Sequence, residues 1–175
     1  MEKSINKILK SSVWVSLSVI SAVALPQIFH YFGIISGSGG SFGQMFLPMY
    51  LPVLILAFRT NALLGVIAGI LSPIISFSLT AMPNMTMMPY VIIELVCFGL
   101  FAGLLAGKKW NPFVKILTVQ ILSRIVRIAA TLIIVYFAQT AVITSAVIFN
   151  TVITAIPGYI LQLLVVPYFI NKRCS

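Results

Sequence analysis

Three charged side chains lie inside apolar stretches of this chain: Glu94 in "YVIIELVCFG", and Arg124 and Arg127 in "ILTVQILSRIVRIAATLIIVYF". One carboxylate and two guanidiniums can pair with one another, or they can line a site for a polar small molecule. Guanidinium forks suit a carboxylate or phosphate, and Glu94 suits a hydroxyl or a protonated ring nitrogen. Most enzyme chemistry is missing. Aspartate is absent, histidine occurs once, and the other acid is Glu2. No Ser-His-Asp set or metal-ligating cluster can be assembled from that supply, and no P-loop occurs. Cys97 and Cys174 match no disulfide or metal spacing. The expectation is a binding protein without a cofactor, not an enzyme.

Arg124 and Arg127 are three residues apart, and Gln120 and Thr131 extend the series at helical spacing. That draws one polar stripe down an otherwise apolar helix. A charge at the centre of a bilayer costs at least about 2.5 kcal/mol, so the stripe has to face protein or a wet cavity.

Composition defines the surroundings. The chain has 175 residues, of which 61% are hydrophobic and 7% charged. Soluble domains are about half apolar and about a quarter charged. The expected class is therefore an all-α integral membrane protein forming a single domain over residues 1–175. A crossing takes roughly 20 apolar residues, which leaves room for about six helices. The spans read as Ile8 to Phe32, Met45 to Phe58, Ala62 to Leu79, Tyr90 to Gly107, Phe113 to Phe137 and Ile143 to Ile170, the last bent at Pro157. The N-terminal stretch resembles a signal peptide but shows no small-x-small cleavage site, so it reads as a retained first helix. Repeated β alternation is absent, which argues against a β-barrel.

Lys3, Lys7, Lys10, Arg59, Lys108, Lys109, Lys115, Lys172 and Arg173 all fall on one side of a six-span arrangement, and the opposite loops, 33–44, 80–89 and 138–143, hold no Lys or Arg. The positive-inside rule then puts both termini in the cytoplasm. The net charge of +9 is a topology signal with some attraction to anionic lipid. Because the charges sit at helix ends, nucleic acid is not expected as a partner.

Depth brings the three buried charges together. At about 1.5 Å per residue, Glu94 lies roughly 6 Å below the outer edge. Arg127 lies about 21 Å up a core of roughly 30 Å, and so about 9 Å below the same edge. Two readings remain open: a salt bridge that only holds helices together, or a polar pocket in the outer half of the membrane. Tyr90 shares the inward face with Glu94, Cys97 and Phe101. Asn150, Thr151 and Thr154 near the outer end of span six could bond a ligand or their own helix. His30 closes span one beside the outer loop, Asn84 and the methionines of "MPNMTMMP" could roof a cavity, and "SGSGGS" could serve as a lid or a connector. Gly99, Gly103 and Gly107 on span four, and Gly65 and Gly69 on span three, are expected to let helices approach closely.

The ordered set "FLPMYLPVLILAF", "GVIAGILSPIISFSLTAMP", "IELVCFGLFAGLLAG" and "SRIVRI" resembles one branch of the substrate-binding S components of energy-coupling factor (ECF) vitamin transporters, across almost the whole chain. The resemblance implies six transmembrane helices with both termini cytoplasmic, in the plasma membrane of a prokaryote. It implies capture of a small water-soluble vitamin from outside, in a pocket of the outer half. The partners it implies are a membrane coupling protein and two ATPase subunits, which supply the energy, with import by toppling in the bilayer. Glu94 and Arg124 fall where the branch has a fourth-helix Glu and a fifth-helix Arg. The family's Ala-x-x-x-Ala docking motif on helix one corresponds here to Ser12-Val-Trp-Val-Ser16, with bulky Trp14 between the two serines. Pantothenate, niacin and the B6 group suit such a site. The rival classes are a non-transporting membrane scaffold of the cell-shape type and a self-sufficient carrier, although no inverted repeat is evident.

Overall fold

The computed structural model describes residues 2–35, 37, 48–85, 87–138 and 154–170. Those residues form six helices and no strand: α1 (Glu2–Ile35), α2 (Tyr50–Arg59), α3 (Ala62–Thr80), α4 (Met88–Ala106), α5 (Pro112–Ala138) and α6 (Ile156–Ile170). Residues 38–47 and 139–153, which include most of the Gly/Ser-rich loop, Asn150 and Thr151, lie outside the described residues. Four helices are long and apolar enough to cross a membrane: α1 over Leu9–Ile35, α3, α4, and α5 over Pro112–Ile134. α2 and α6 are shorter apolar helices. With 10 residues, α2 reaches only about 15 Å, half a bilayer. Pro157 takes the second position of α6, where a missing N–H costs nothing.

The outer faces show what solvent the fold requires. Val13, Ile20, Leu63, Leu79, Leu104, Ile125 and Leu164 are all exposed. Ser72, Glu94, Ser123, Gln120 and Gln162 are buried. In water, so much exposed apolar surface would drive association. Against lipid tails it costs nothing, and the buried polar groups are shielded from the hydrocarbon. The fold is that of a helical membrane protein.

α2 is the hub of the bundle. Eight of its ten residues are buried, and it packs against α1, α3, α4 and α6. Its C-terminal end is tied to three neighbours. Arg59 Nε donates to the Phe169 carbonyl of α6 at 3.3 Å, and the Arg59 guanidinium lies 5.9 Å from the centre of the Trp14 ring of α1. Two residues on, the Asn61 side chain caps α3 by accepting the Leu64 N–H at 2.9 Å. Gly103 of α4 lies against Ala62 at this same end. Lys10, Lys108 and Lys109 flank these contacts in sequence and are exposed, so one end of the bundle is basic.

α3 and α4 meet along a glycine seam. A Cβ on Gly99 would come within 2.4 Å of the Gly65 carbonyl group, one on Gly69 within 2.8 Å of the Leu95 carbonyl oxygen, and one on Gly103 within 2.2 Å of Ala62 backbone. Backbone therefore rests on backbone, as small residues in membrane helices permit. Gly107 corrects the expectation from spacing alone: a Cβ there meets nothing within 4 Å, because the residue is already the C-cap of α4. The contrast is testable. Gly99→Ala should cost about 1–3 kcal/mol by overpacking a site with no flexible neighbour, seen as a lower unfolding temperature in detergent. Gly107→Ala should leave that temperature unchanged.

Candidate functional site

Glu94 stands at the centre of the candidate site. It occupies the seventh position of α4 and is completely buried. The seam with α3 occupies one flank of α4, through Gly99 and the Leu95 backbone. The carboxylate meets α2 and α5 instead. Tyr50, the first residue of α2, donates its hydroxyl to Glu94 Oε2 at 2.7 Å. Arg127 Nη1 of α5 donates to the same oxygen. Arg124 Nη1 faces Glu94 Oε1 at 3.3 Å, as an ion pair. The Tyr50 ring also packs edge-on to Phe98, one turn along α4, with centroids 5.0 Å apart, which fixes the direction of the phenol.

The cluster is asymmetric along the bundle. Glu94 is about 9 Å from the Met88 end of α4 and about 18 Å from the Ala106 end. Tyr50 starts the helix that Arg59 ends. The charges therefore lie away from the basic end and toward the opposite side of the bundle.

A second polar layer adjoins the first. Gln120, one turn before Arg124 on α5, donates from Nε2 to Gln162 Oε1 at 3.0 Å and to the Tyr159 carbonyl at 3.3 Å. Gln162 is fully buried on α6. The Tyr159 ring lies under Arg124, with Cζ 5.1 Å from its centre. Several buried polar atoms here have no hydrogen-bond partner among the described residues: Arg124 Nε and Nη2, Glu94 Oε1, the Tyr159 hydroxyl, Ser123 Oγ and Gln162 Nε2. A buried donor left without an acceptor is costly.

The structure brings together Glu94, Arg124 and Arg127, the ion pairing that similar depth made plausible. Tyr90 is buried one turn from Glu94, outside the hydrogen-bonded set. Asn84 is exposed, and its carbonyl accepts the N–H groups of Met87 and Met88 in the turn that leads into α4. His30 is half-buried and lies within α1, which continues five residues beyond it. Thr154 is exposed at the approach to α6, and Asn150 lies outside the described residues. Ser12 and Ser16 are exposed on α1. Trp14 is turned inward, where it packs on the core beneath Arg59.

Sequence reasoning missed Tyr50, Tyr159 and Gln162. Gln162 had a signal: it is the one amide in "YILQLLVVPYFI", and amides in apolar helices turn inward. Tyr50 had a weaker one, as a hydroxyl-bearing aromatic at the depth of Glu94. Tyr159 had none, since its value lies in the ring beneath Arg124.

Comparison with protein-family models, with curated proteins and with solved structures finds no match to this chain. The fold and the site define a class, a helical membrane protein organised around one buried, arginine-bound carboxylate.

The cluster predicts a hierarchy of costs. Tyr50→Phe removes one hydrogen bond to a charged acceptor and should lower stability by about 1.5–3 kcal/mol. Glu94→Ala strands two arginines and should cost about 3–5 kcal/mol. Adding Tyr50→Phe to Glu94→Ala should cost little more, because the shared acceptor is gone. Denaturant unfolding in detergent micelles measures all three.

Proposed function

We propose that this chain captures a small water-soluble vitamin or related micronutrient from outside the cell, as the S component of an ECF-type importer in a prokaryotic plasma membrane. The observation that carries the reading is the buried cluster of Glu94 with Arg124 and Arg127, in which Arg124 keeps two buried N–H groups without an acceptor among the described residues. The cluster has the ingredients of a small-molecule site: few convergent polar groups in an apolar wall. Its position away from the basic end supports an outward-facing site, with six spans and both termini cytoplasmic under the positive-inside rule. Energy comes from partners, a membrane coupling protein and two ATPases. The exposed Ser12 and Ser16 on α1 support a docking surface for the coupling protein, and the inward turn of Trp14 removes the steric objection to it. Pantothenate, niacin and B6-type molecules are the favoured ligands.

A scaffold reading draws on one observation: both carboxylate oxygens of Glu94 face the chain's own side chains, Oε2 through two hydrogen bonds and Oε1 through an ion pair. Binding separates the two. Native mass spectrometry of the purified protein should show a retained vitamin-sized molecule, and gentle solubilisation from a native host should retain the ATPases. Glu94→Gln and Arg124→Ala should each weaken ligand binding about tenfold or more, corresponding to about 1.4 kcal/mol or more, while the protein still inserts. Unchanged affinity in both variants would assign the charges to architecture.

A further inference from the structure

The charges of the cluster do not balance. Arg124 and Arg127 both stay protonated at any physiological pH, and Glu94 supplies one negative charge. The sequence holds no other acidic side chain except Glu2, the first residue of α1. No residue of the membrane-embedded helices can therefore neutralise the second arginine, whose side chain is at most 14% exposed whichever of the two is considered. A net positive charge inside the hydrocarbon is unfavourable, and it draws an anion.

The unmatched edge is well defined. Arg127 Nη1 and Arg124 Nη1 both face Glu94. In a guanidinium, Nε–H and the neighbouring Nη2–H point in parallel along one side, the fork that receives both oxygens of a carboxylate or phosphate. In Arg124 these are the two groups without a partner among the described residues. Arg124 is 9% exposed, so the fork does not discharge into bulk solvent. The Tyr159 ring stacks on the same guanidinium, and its buried hydroxyl is likewise without a partner among the described residues.

We infer that the cluster is completed by an anion, with a carboxylate or phosphate oxygen pair on the Nε/Nη2 fork of Arg124 and the Tyr159 hydroxyl donating beside it. This deepens the capture reading and rests on its assignment of the cluster as a binding site. The ligand is a molecule with one anionic group, and its neutral or cationic analogues are rejected. Glu94 then plays two parts. It holds Arg124 by Nη1 so that the fork stays presented, and it reduces the site from two positive charges to one, matched to a monoanion. A soluble acid and the phosphate of an anionic lipid share this chemistry.

The test compares matched pairs on the full chain in nanodiscs. In phosphatidylcholine discs, thermal stabilisation and calorimetric affinity are measured with pantothenate against pantothenol, nicotinate against nicotinamide, and pyridoxal 5′-phosphate against pyridoxal. In parallel, native mass spectrometry compares retention of phosphatidylglycerol with that of phosphatidylcholine. We expect one anion to bind at least tenfold more tightly than its neutral counterpart. Arg124→Lys, which keeps the charge and loses the fork, and Tyr159→Phe should each reduce that preference several-fold. Preferential retention of phosphatidylglycerol with no soluble ligand would support the anion site and overturn the vitamin-capture reading. Tight binding of a neutral member of any pair, equal to or better than the acid, would leave the capture reading standing and overturn the anion site. Absence of any anion preference in both arms would also overturn it.

Discussion

Glu94 is the constraint on which the rest of the structure depends. A carboxylate with no exposed surface in an apolar bundle is tolerable only where its partners are fixed around it. Those partners come from two other helices, α2 through Tyr50 and α5 through Arg124 and Arg127. Helices in lipid gain little from burying apolar surface against one another, since the tails are as apolar as leucine. One ionic knot and one glycine seam therefore supply specificity that apolar packing alone would not. The seam fixes α4 against α3, and the knot then fixes α2 and α5 against α4.

The polar layer of Gln120, Gln162 and Tyr159 extends this logic to α6. It continues the α5 stripe one turn beyond Arg124 and holds a buried amide pair at 3.0 Å. At the other end, Arg59 reaches both Phe169 and Trp14. The short α2 is thus anchored at both ends, by its own tyrosine at one and its own arginine at the other, although it is too short to cross a bilayer.

Much of this was legible in the sequence because membrane helices write strong signals. The apolar runs locate α3, α4 and α5 to within two residues, and α1 extends a few residues past its apolar run at each end. Helical rise alone put Glu94 and Arg127 at one depth, and the structure joins them. The limits were equally physical. Spacing grouped Gly107 with Gly99 and Gly103, but the helix ends there, so its small size meets no neighbour. His30 was read as a helix end because its polarity follows an apolar run, yet a helix already in an apolar surround continues through it. Tyr50 and Tyr159 became visible only once α2 and α6 were placed beside α4 and α5, since nothing in a linear chain records which helices are neighbours. The expected crossings at α2 and α6 run into residues 38–47 and 139–153, outside the described residues, and the described parts are shorter apolar helices.

The glycine seam also decides how this molecule can move. At Gly65, Gly99 and Gly103 the main chains of α3 and α4 come so close that sliding one helix past the other drives main chain into main chain. The two helices travel as a single plank, and Glu94 rides on it. Any change that opens the space around the carboxylate therefore moves its partners on α2 and α5 relative to that plank, with Tyr50 and the arginines as the moving jaw and Glu94 as the stationary one.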